Sequence, residues 1–465
     1  MFNKTFVFTF LLIITQTVFS PAHAQVLTLK DAVQTAVNNY GTIKAKNNYV
    51  SASKALLKES SKEALPDLNV SAQQDYGTIN GQDGPLYGFK GLSTAASGPV
   101  LPGNWNASFG ALYLANINWD FYSFGKARQK IKLSASALTL SESDLGQEKF
   151  ELQVKVAGAY LNLLAAQRLT KSQQDNLERA TALRDAVVPR VKSGLNAGVD
   201  SSLANAEVSN AKIALLRAKD YELEQANQLA VLLNVQQREF ALDTLFITRL
   251  PAATQDSAIT NLQTHPLLQF YQNRINVSNE QAKYLRTFKY PTFSLFGLAQ
   301  GRGSGFYDNY GAANPEAFTH NYWDGINPTS GNYLFGVGVV WNLTSPLRVQ
   351  QQVIAQQFTT KGLKDEYDLV DEQLKNQYAL AESKMHNALA AFIEAPVQVK
   401  AASDAYLQKT VLYKNGLSNI VDVTQALYAL NLAETDKDIS ENNVWEALLL
   451  KSASAGDFGI FINEF

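Results

Sequence analysis

The chain of 465 residues is 46% hydrophobic and only 18% charged, with 40 Lys and Arg against 42 Asp and Glu. A net charge of -2 without a basic cluster excludes a nucleic-acid partner, whose phosphates need a clustered Lys/Arg face. The absence of cysteine excludes disulfides, thiolate metal sites, a cysteine nucleophile and a lipidated N-terminal cysteine.

Residues 1–24 read as a secretory signal: Lys4 gives the positive start, Phe6 to Phe19 the apolar stretch, and Ala22-His23-Ala24 the cleavage pattern. The alternative, a membrane anchor, fails on length, because Thr9, Thr15, Gln16 and Thr17 leave it short of the ~20 apolar residues a spanning helix needs. Thr28 is placed to cap a helix, with Asp31 at its third position; the helix is expected to run to about Ala64 and end before Pro66. Strands are expected near 68–76 and 105–121, separated by a loop with glycines at 77, 81, 84, 88, 91, 98 and 103. A very long helical pattern covers about 126–188, breaks around Pro189, Gly194 and Gly198, and resumes over about 201–234. The order then returns, with a helix over 265–290 and strands near 292–300 and 333–343. A long helix over 349–413 follows, then a turn at Gly416 and a helix to about Ala453.

That return is an internal duplication. Pro66 and Pro291 end matching helices 225 residues apart. Trp119 and Trp341, Asp200 and Asp422, and Ala204 and Ala426 share an offset of 222. Landmarks in one order at nearly one spacing indicate a first repeat over 25–250 and a second over 251–465, with hairpin turns near 194 and 416.

Between 107 and 121 the odd positions (Ala107, Phe109, Ala111, Tyr113, Ala115, Ile117, Trp119, Phe121) are apolar or aromatic, while Ser108, Asn116, Asn118 and Asp120 lie between them. Tyr333, Phe335, Val337, Val339, Trp341 and Leu343 repeat the alternation. Period two puts the two sets on opposite faces, and a run of about 15 residues is long enough to cross a tilted bilayer. Four strands cannot close a barrel, and an open edge in hydrocarbon leaves backbone groups unsatisfied. Three chains contributing four strands each would give about 12, enough to enclose a water-filled bore. The helix from 126 to 188 spans roughly 95 Å, and Leu152, Val156, Ala159, Leu163 and Ala166 follow the spacing of a coiled-coil seam. The expected fold is mostly α-helical with a membrane β-barrel, the barrel continuous with a long helical tunnel.

This order, with the doubled Gly-Leu-x-x-x-Val-Asp turn (Gly194, Leu195, Val199, Asp200; Gly416, Leu417, Val421, Asp422), resembles the TolC-like outer membrane efflux proteins over essentially the whole chain beyond the signal. The resemblance implies a homotrimer with a 12-stranded barrel in the bacterial outer membrane and a helical tunnel through the periplasm. It also implies a periplasmic adaptor protein that docks on the hairpin turns, an inner-membrane pump, and no cofactor. By that similarity the turns form the periplasmic entrance, where Asp200 matches an acidic gate partner and Tyr413 its tyrosine partner. Ser418 stands where the family carries an arginine, which leaves a hydroxyl without charge. Asp422 matches a carboxylate that, tripled by symmetry, lines the constriction and favours cations, and Gln425 replaces a second acidic ring, so cation preference is expected to be weaker than in members with both rings. Helix capping is the structural alternative for both aspartates.

No catalytic constellation is present. His265, His320 and His386 sit in different elements without carboxylates at zinc-ligand spacing, and there is no nucleophile elbow or phosphate-binding loop. Gly301, Gly303 and Gly305 read as part of a solvated extracellular loop over 301–332, with a phage or ligand contact as its alternative role. Phe465 is similar to the aromatic ending of outer-membrane barrels. The competing class is a periplasmic coiled-coil scaffold without a pore, which gives no reason for a strand face of Phe, Trp and Val.

Overall fold

The computed structural model describes residues 26–81, 103–244, 246–252 and 262–465. The expected signal and most of the glycine-rich loop before residue 103 lie outside them. Two compact units emerge: residues up to 51 with 139–275 and 362–465, and residues 52–138 with 276–361. Each draws segments from both halves of the sequence.

Helix α1 covers Leu29–Asn39 and buries Leu29, Ala32, Val33 and Ala36, the 3-4 spacing of one helical stripe. Thr28 caps it as expected: its oxygen accepts the Asp31 N–H at 3.1 Å, and its hydroxyl donates to the Asp31 carboxylate at 2.7 Å. The single helix expected to about Ala64 is instead two. Tyr40 is extended (φ -62, ψ 128), and α2 starts afresh at Gly41 and runs to Lys62. Asn38, Asn39 and Gly41 are all poor helix formers, so a break here forfeits little propensity.

The long helices are α3 (Lys126–Lys192) and α7 (Ser345–Lys414), of 67 and 70 residues. At 1.5 Å per residue each is on the order of 100 Å long. Pro189 does not break α3, contrary to expectation; it lies within the last turn, where its missing N–H leaves only one carbonyl unpaired before the helix ends anyway. Helices α4 (Gly198–Leu233), α5 (Pro266–Thr287), α8 (Ile420–Ala455) and the short α9 (Gly459–Ile462) complete the helical set apart from α6, below.

In the first unit Leu152, Val156, Ala159, Leu163 and Ala166 are all buried, so the predicted seam of α3 is a packing seam. The first four join a core with Leu229 and Leu233 of α4, Trp445 and Leu448 of α8, Phe246 and Phe461. Tyr160 threads this core: its hydroxyl donates to the Leu27 carbonyl at 2.8 Å and accepts the Asp243 N–H at 3.0 Å. Burial pushes its pKa up to about 12, so it stays a neutral donor. Farther along α3, Arg168 pairs with Asp438 and Glu441 of α8, and Arg179 makes a two-pronged bond to Glu434 at 3.1 and 2.6 Å. Phe465 packs on Phe246 and Trp445, with ring centroids 4.4 and 5.0 Å apart. It belongs to the helical core and ends no strand.

The second unit carries one antiparallel sheet in the order β1-β2-β3-β4, from Asp67–Thr78, Ala107–Tyr122, Thr292–Ser304 and Ser330–Val340. Three boundaries differ from expectation. Strand β3 runs on through Gly301 and Gly303, β4 stops before Trp341 and Leu343, and Trp105 precedes β2. The registers align the alternation across all four strands. Tyr76 faces Phe109, Val70 faces Ala115, Ile117 faces Gly297, and Gly297 faces Phe335. One face therefore carries Leu68, Val70, Ala72, Phe109, Tyr113, Ile117, Trp119, Leu295, Phe335, Val337 and Val339. The other carries Asp67, Asn69, Ser71, Gln73, Asp75, Asn116, Asn118, Ser294, Gln300 and Asn332, with Leu112, Leu114, Phe296, Leu298 and Leu334 among them. A register shift between Trp119 and Tyr122 ends the strict alternation, so Phe121 does not continue the apolar row by parity.

Two glycines shape the sheet interior. Phe335 lies over Gly297 on the apolar face, and Phe296 lies over Gly336 on the polar one; a Cβ at either glycine would strike the ring. Such aromatic cover of strand glycines pins the register. Strands β1 and β4 each pair on one side only among the described residues. The connection from β3 to β4, expected as a solvated loop, contains helix α6 (Tyr322–Ile326), which folds back on the sheet.

Candidate functional site

The two hairpin turns, α3 to α4 and α7 to α8, are built alike. At each, a glycine in the left-handed region ends the long helix: Gly194 at φ +75 and Gly416 at φ +74. The following leucine N–H reaches back five residues, Leu195 to the Arg190 carbonyl and Leu417 to the Leu412 carbonyl, both at 2.9 Å. This closes the orphan carbonyls of the helix end and requires φ > 0 at the glycine. Leu195 and Leu417 are then left 71% and 75% exposed at the two tips.

Just behind the tips the sequence-predicted residues meet. The Tyr413 hydroxyl donates to the Asp200 carboxylate at 3.2 Å, linking α7 to α4. Asn196 was not foreseen and is central: its amide donates to Asp200 at 2.8 Å and to the Tyr413 oxygen at 2.9 Å. Arg190 donates to the Asn196 carbonyl oxygen at 3.1 Å and to the Lys414 backbone carbonyl at 2.9 Å. Four side chains from both hairpins thus form one network. Tyr413 is 3% exposed, its ring packed on Leu183, Val187, Ala204, Ile420 and Val423. Burial and then the negative Asp200 push its pKa up to about 12, so the phenol keeps its proton and donates it to Asp200.

The second cluster lies within the α7–α8 hairpin. Ser418 donates to the Asp422 carboxylate at 2.9 Å, and Lys409, also unforeseen, pairs with the same oxygen at 3.0 Å. Asn419 caps α8 by accepting the Asp422 N–H at 2.9 Å. Asp422 is therefore not itself the cap. The Lys409 ammonium, then the Ser418 hydroxyl, hold its carboxyl below the usual range, so the pair persists until acid protonates the carboxylate. Gln425 is exposed one turn farther on.

A signal for both missed partners existed in the spacing. An antiparallel hairpin faces residues equidistant from its turn, and 409 and 422 straddle 415–416 as 190 and 196 straddle 193. No cluster of metal-ligating side chains occurs among the described residues. His265 is buried with both nitrogens engaged, Nε2 on the Ala453 carbonyl at 3.1 Å and Nδ1 accepting the Leu267 N–H at 3.1 Å; burial lowers its pKa and keeps it neutral. No described helix is long and apolar enough to cross a membrane.

The chain matches the model of the outer membrane efflux protein family over residues 32–235. No curated protein sequence matches it. Among solved structures, the outer-membrane channel OprN superposes with a TM-score of 0.73 at 18% identity, over 92% of this chain and 89% of its own. The outer membrane protein VceC from Vibrio cholerae gives 0.73 at 15% identity, over 92% and 96%. CusC, described through its folding and transmembrane channel formation, gives 0.73 at 13% identity, over 95% and 96%. At these identities the likeness is one of fold.

Proposed function

We propose, from the match of this chain to the outer membrane efflux protein family, that it is the outer membrane channel subunit of a tripartite efflux or type I secretion system. It sits in the bacterial outer membrane, extends into the periplasm, and is a passive conduit with no catalytic role. The observation that carries the reading is the sheet. One face of the sheet is apolar and aromatic apart from Gln74, the other holds most of the polar side chains together with Leu112, Leu114, Phe296, Leu298 and Leu334, and β1 and β4 offer edges unpaired among the described residues. In hydrocarbon such edges must be satisfied, and pairing β4 of one copy with β1 of the next closes them. Three copies of this four-stranded sheet make a homotrimer with a barrel of 12 strands around a polar bore, the number that the family resemblance implies. The two halves descend from a duplicated unit over 25–250 and 251–465, behind a signal over 1–24.

The long helices continue the bore as a periplasmic tunnel whose entrance is at the hairpin turns. There Asp200, Tyr413, Asn196 and Arg190 hold the entrance shut, and Asp422 lines the constriction. The exposed Gly194-Leu195 and Gly416-Leu417 tips dock a periplasmic adaptor, which couples the duct to an inner-membrane pump. The cargo is set by that pump.

Membrane extraction and planar-bilayer recording test this. The protein is expected to need detergent, to run as a trimer, and to give discrete conductance steps. Recovery as a detergent-free monomer would sink the channel in favour of a periplasmic scaffold. In the same recordings, Lys409→Met is expected to raise the preference for cations over anions several-fold, because it frees the Asp422 charge that Lys409 neutralises. Lys409→Arg should leave the reversal potential in a salt gradient unchanged.

A further inference from the structure

We propose that helix α6 and its flanks form an exterior clip. The segment lies on the lipid-facing wall of the sheet, with Trp323 in the headgroup layer of the outer leaflet, and does not cover the mouth of the duct. The inference rests on the barrel reading for which face meets lipid.

The face is settled by contacts within one unit. Gly303 and Ala111 stand opposite one another on the apolar side, and both are buried, while Arg302 and Ser304 on the polar side are exposed. What buries them is the backbone of α6. A Cβ on Gly303 would meet the Gly325 and Asn327 carbonyl oxygens at 2.7 and 2.8 Å. A Cβ on Gly325 would meet the Cβ and carbonyl oxygen of Phe109 at 2.5 and 2.6 Å. One glycine in the sheet and one in α6 let main chain lie directly on main chain, an approach no other residue permits.

Polar ties hold the segment down. The Tyr113 hydroxyl donates to the Ile326 carbonyl at 3.2 Å, the Thr329 N–H to the Arg302 carbonyl at 2.9 Å, and the Tyr322 hydroxyl to Gln74 at 2.8 Å. Gln74 is the telling partner. It is the one amide in the row Leu68, Val70, Ala72, Gln74, Tyr76 on the apolar side of β1, and bare to lipid it would leave its donors and acceptor unpaired. Under the clip its oxygen accepts from Tyr322, and its nitrogen reaches the Tyr113 oxygen at 3.4 Å.

Position along the strand then assigns the depth. The rings of Tyr76, Phe109, Tyr322 and Trp323 follow one another at 4.7, 5.2 and 5.2 Å, and Trp323 is 72% exposed. Ten residues down β2, Trp119 marks the other end. At ~3.4 Å per residue that is about 34 Å along the strand, and about 26 Å across the membrane at a ~40° tilt, against an apolar band about 25 Å tall. Two levels of aromatic residues at that separation fit the two interfaces, where an indole keeps its ring in the apolar layer and its N–H wet. The inner level is borne by strand, the outer one by this clip.

The test is fluorescence of the full-length protein in vesicles containing bromine-labelled phosphatidylcholine. The chain has five tryptophans, so two variants are made with all but one replaced by Phe, one keeping Trp323 and one keeping Trp119. Trp323 is expected to be quenched to the same fold as Trp119, most strongly by bromine near the headgroup, and to be shielded from aqueous iodide. Gly325→Val in the Trp323-only protein should abolish its lipid quenching. Trp119 quenched with Trp323 open to iodide would overturn the clip and leave the barrel standing. Neither quenched by lipid would overturn the barrel reading itself. If these variants do not fold, Trp323→Cys in the otherwise cysteine-free chain carries a nitroxide: greater access to oxygen than to a nickel chelate supports the clip, and the reverse overturns it.

Discussion

Asp200→Ala is expected to raise the mean conductance of the reconstituted channel by about an order of magnitude, with Tyr413→Phe producing a smaller rise. Asp200 accepts from Asn196 at 2.8 Å and from Tyr413 at 3.2 Å. Hydrogen bonds to a charged acceptor contribute about 1.5–3 kcal/mol each, and every 1.4 kcal/mol is tenfold in a two-state population. If those bonds exist only while the entrance is shut, removing the carboxylate shifts the balance toward open states. Tyr413→Phe removes the bond to Asp200 and the one that the phenol accepts from Asn196, but keeps the ring against Leu183, Val187 and Val423 and leaves Asp200 held by Asn196. The double variant should show less than the sum, since both changes dismantle one network. Conductance unchanged in all three would mean the network is scaffolding for the hairpins and no gate.

Trp445→Ala is expected to be the most damaging single change to the folded helical unit, at about 3–5 kcal/mol, the usual range for emptying a large aromatic from a packed core. Trp445 is fully buried, with Phe246 at 5.0 Å edge-on, Phe465 at 5.0 Å and Phe461 at 6.4 Å. Its indole N–H has no hydrogen-bond partner among the described residues. Trp445→Phe keeps most of the packing and deletes that unpaired donor, so it should cost less than half as much. Heating the extracted protein in mild detergent and following loss of the folded form gives the order: native, Phe, then Ala well below both. A small Ala effect would mean that neighbouring rings collapse into the space.

These outcomes depend on features of unequal legibility in sequence. Strand alternation, with Phe109, Ile117 and Trp119 against Asn116 and Asn118, was readable because period two survives whatever the strands pack on. The hairpin turns were readable because a glycine closing a helix has few substitutes. The break at Tyr40 was not, since its Asn and Gly lower propensity without a proline to mark the place. Helix α6 was hidden by its Tyr-, Asn- and Gly-rich surroundings, which look like solvated loop until Gly303 is seen to lie against the Gly325 carbonyl and Gly325 against Phe109. In the hairpin network, Asp200 and Tyr413 are named by family likeness, whereas Asn196 and Lys409 emerge only when the hairpins are folded and equidistant residues meet.

The two unmatched margins of the sheet have a genetic consequence. If each subunit borrows a neighbour on either side, a copy with a defective margin does not merely fail alone; it is built into rings beside sound copies and ruins them. A proline in β1 or β4 should therefore act as a dominant allele when expressed alongside the intact gene, whereas a lesion such as Trp445→Ala, which removes the subunit before it can be recruited, should be recessive.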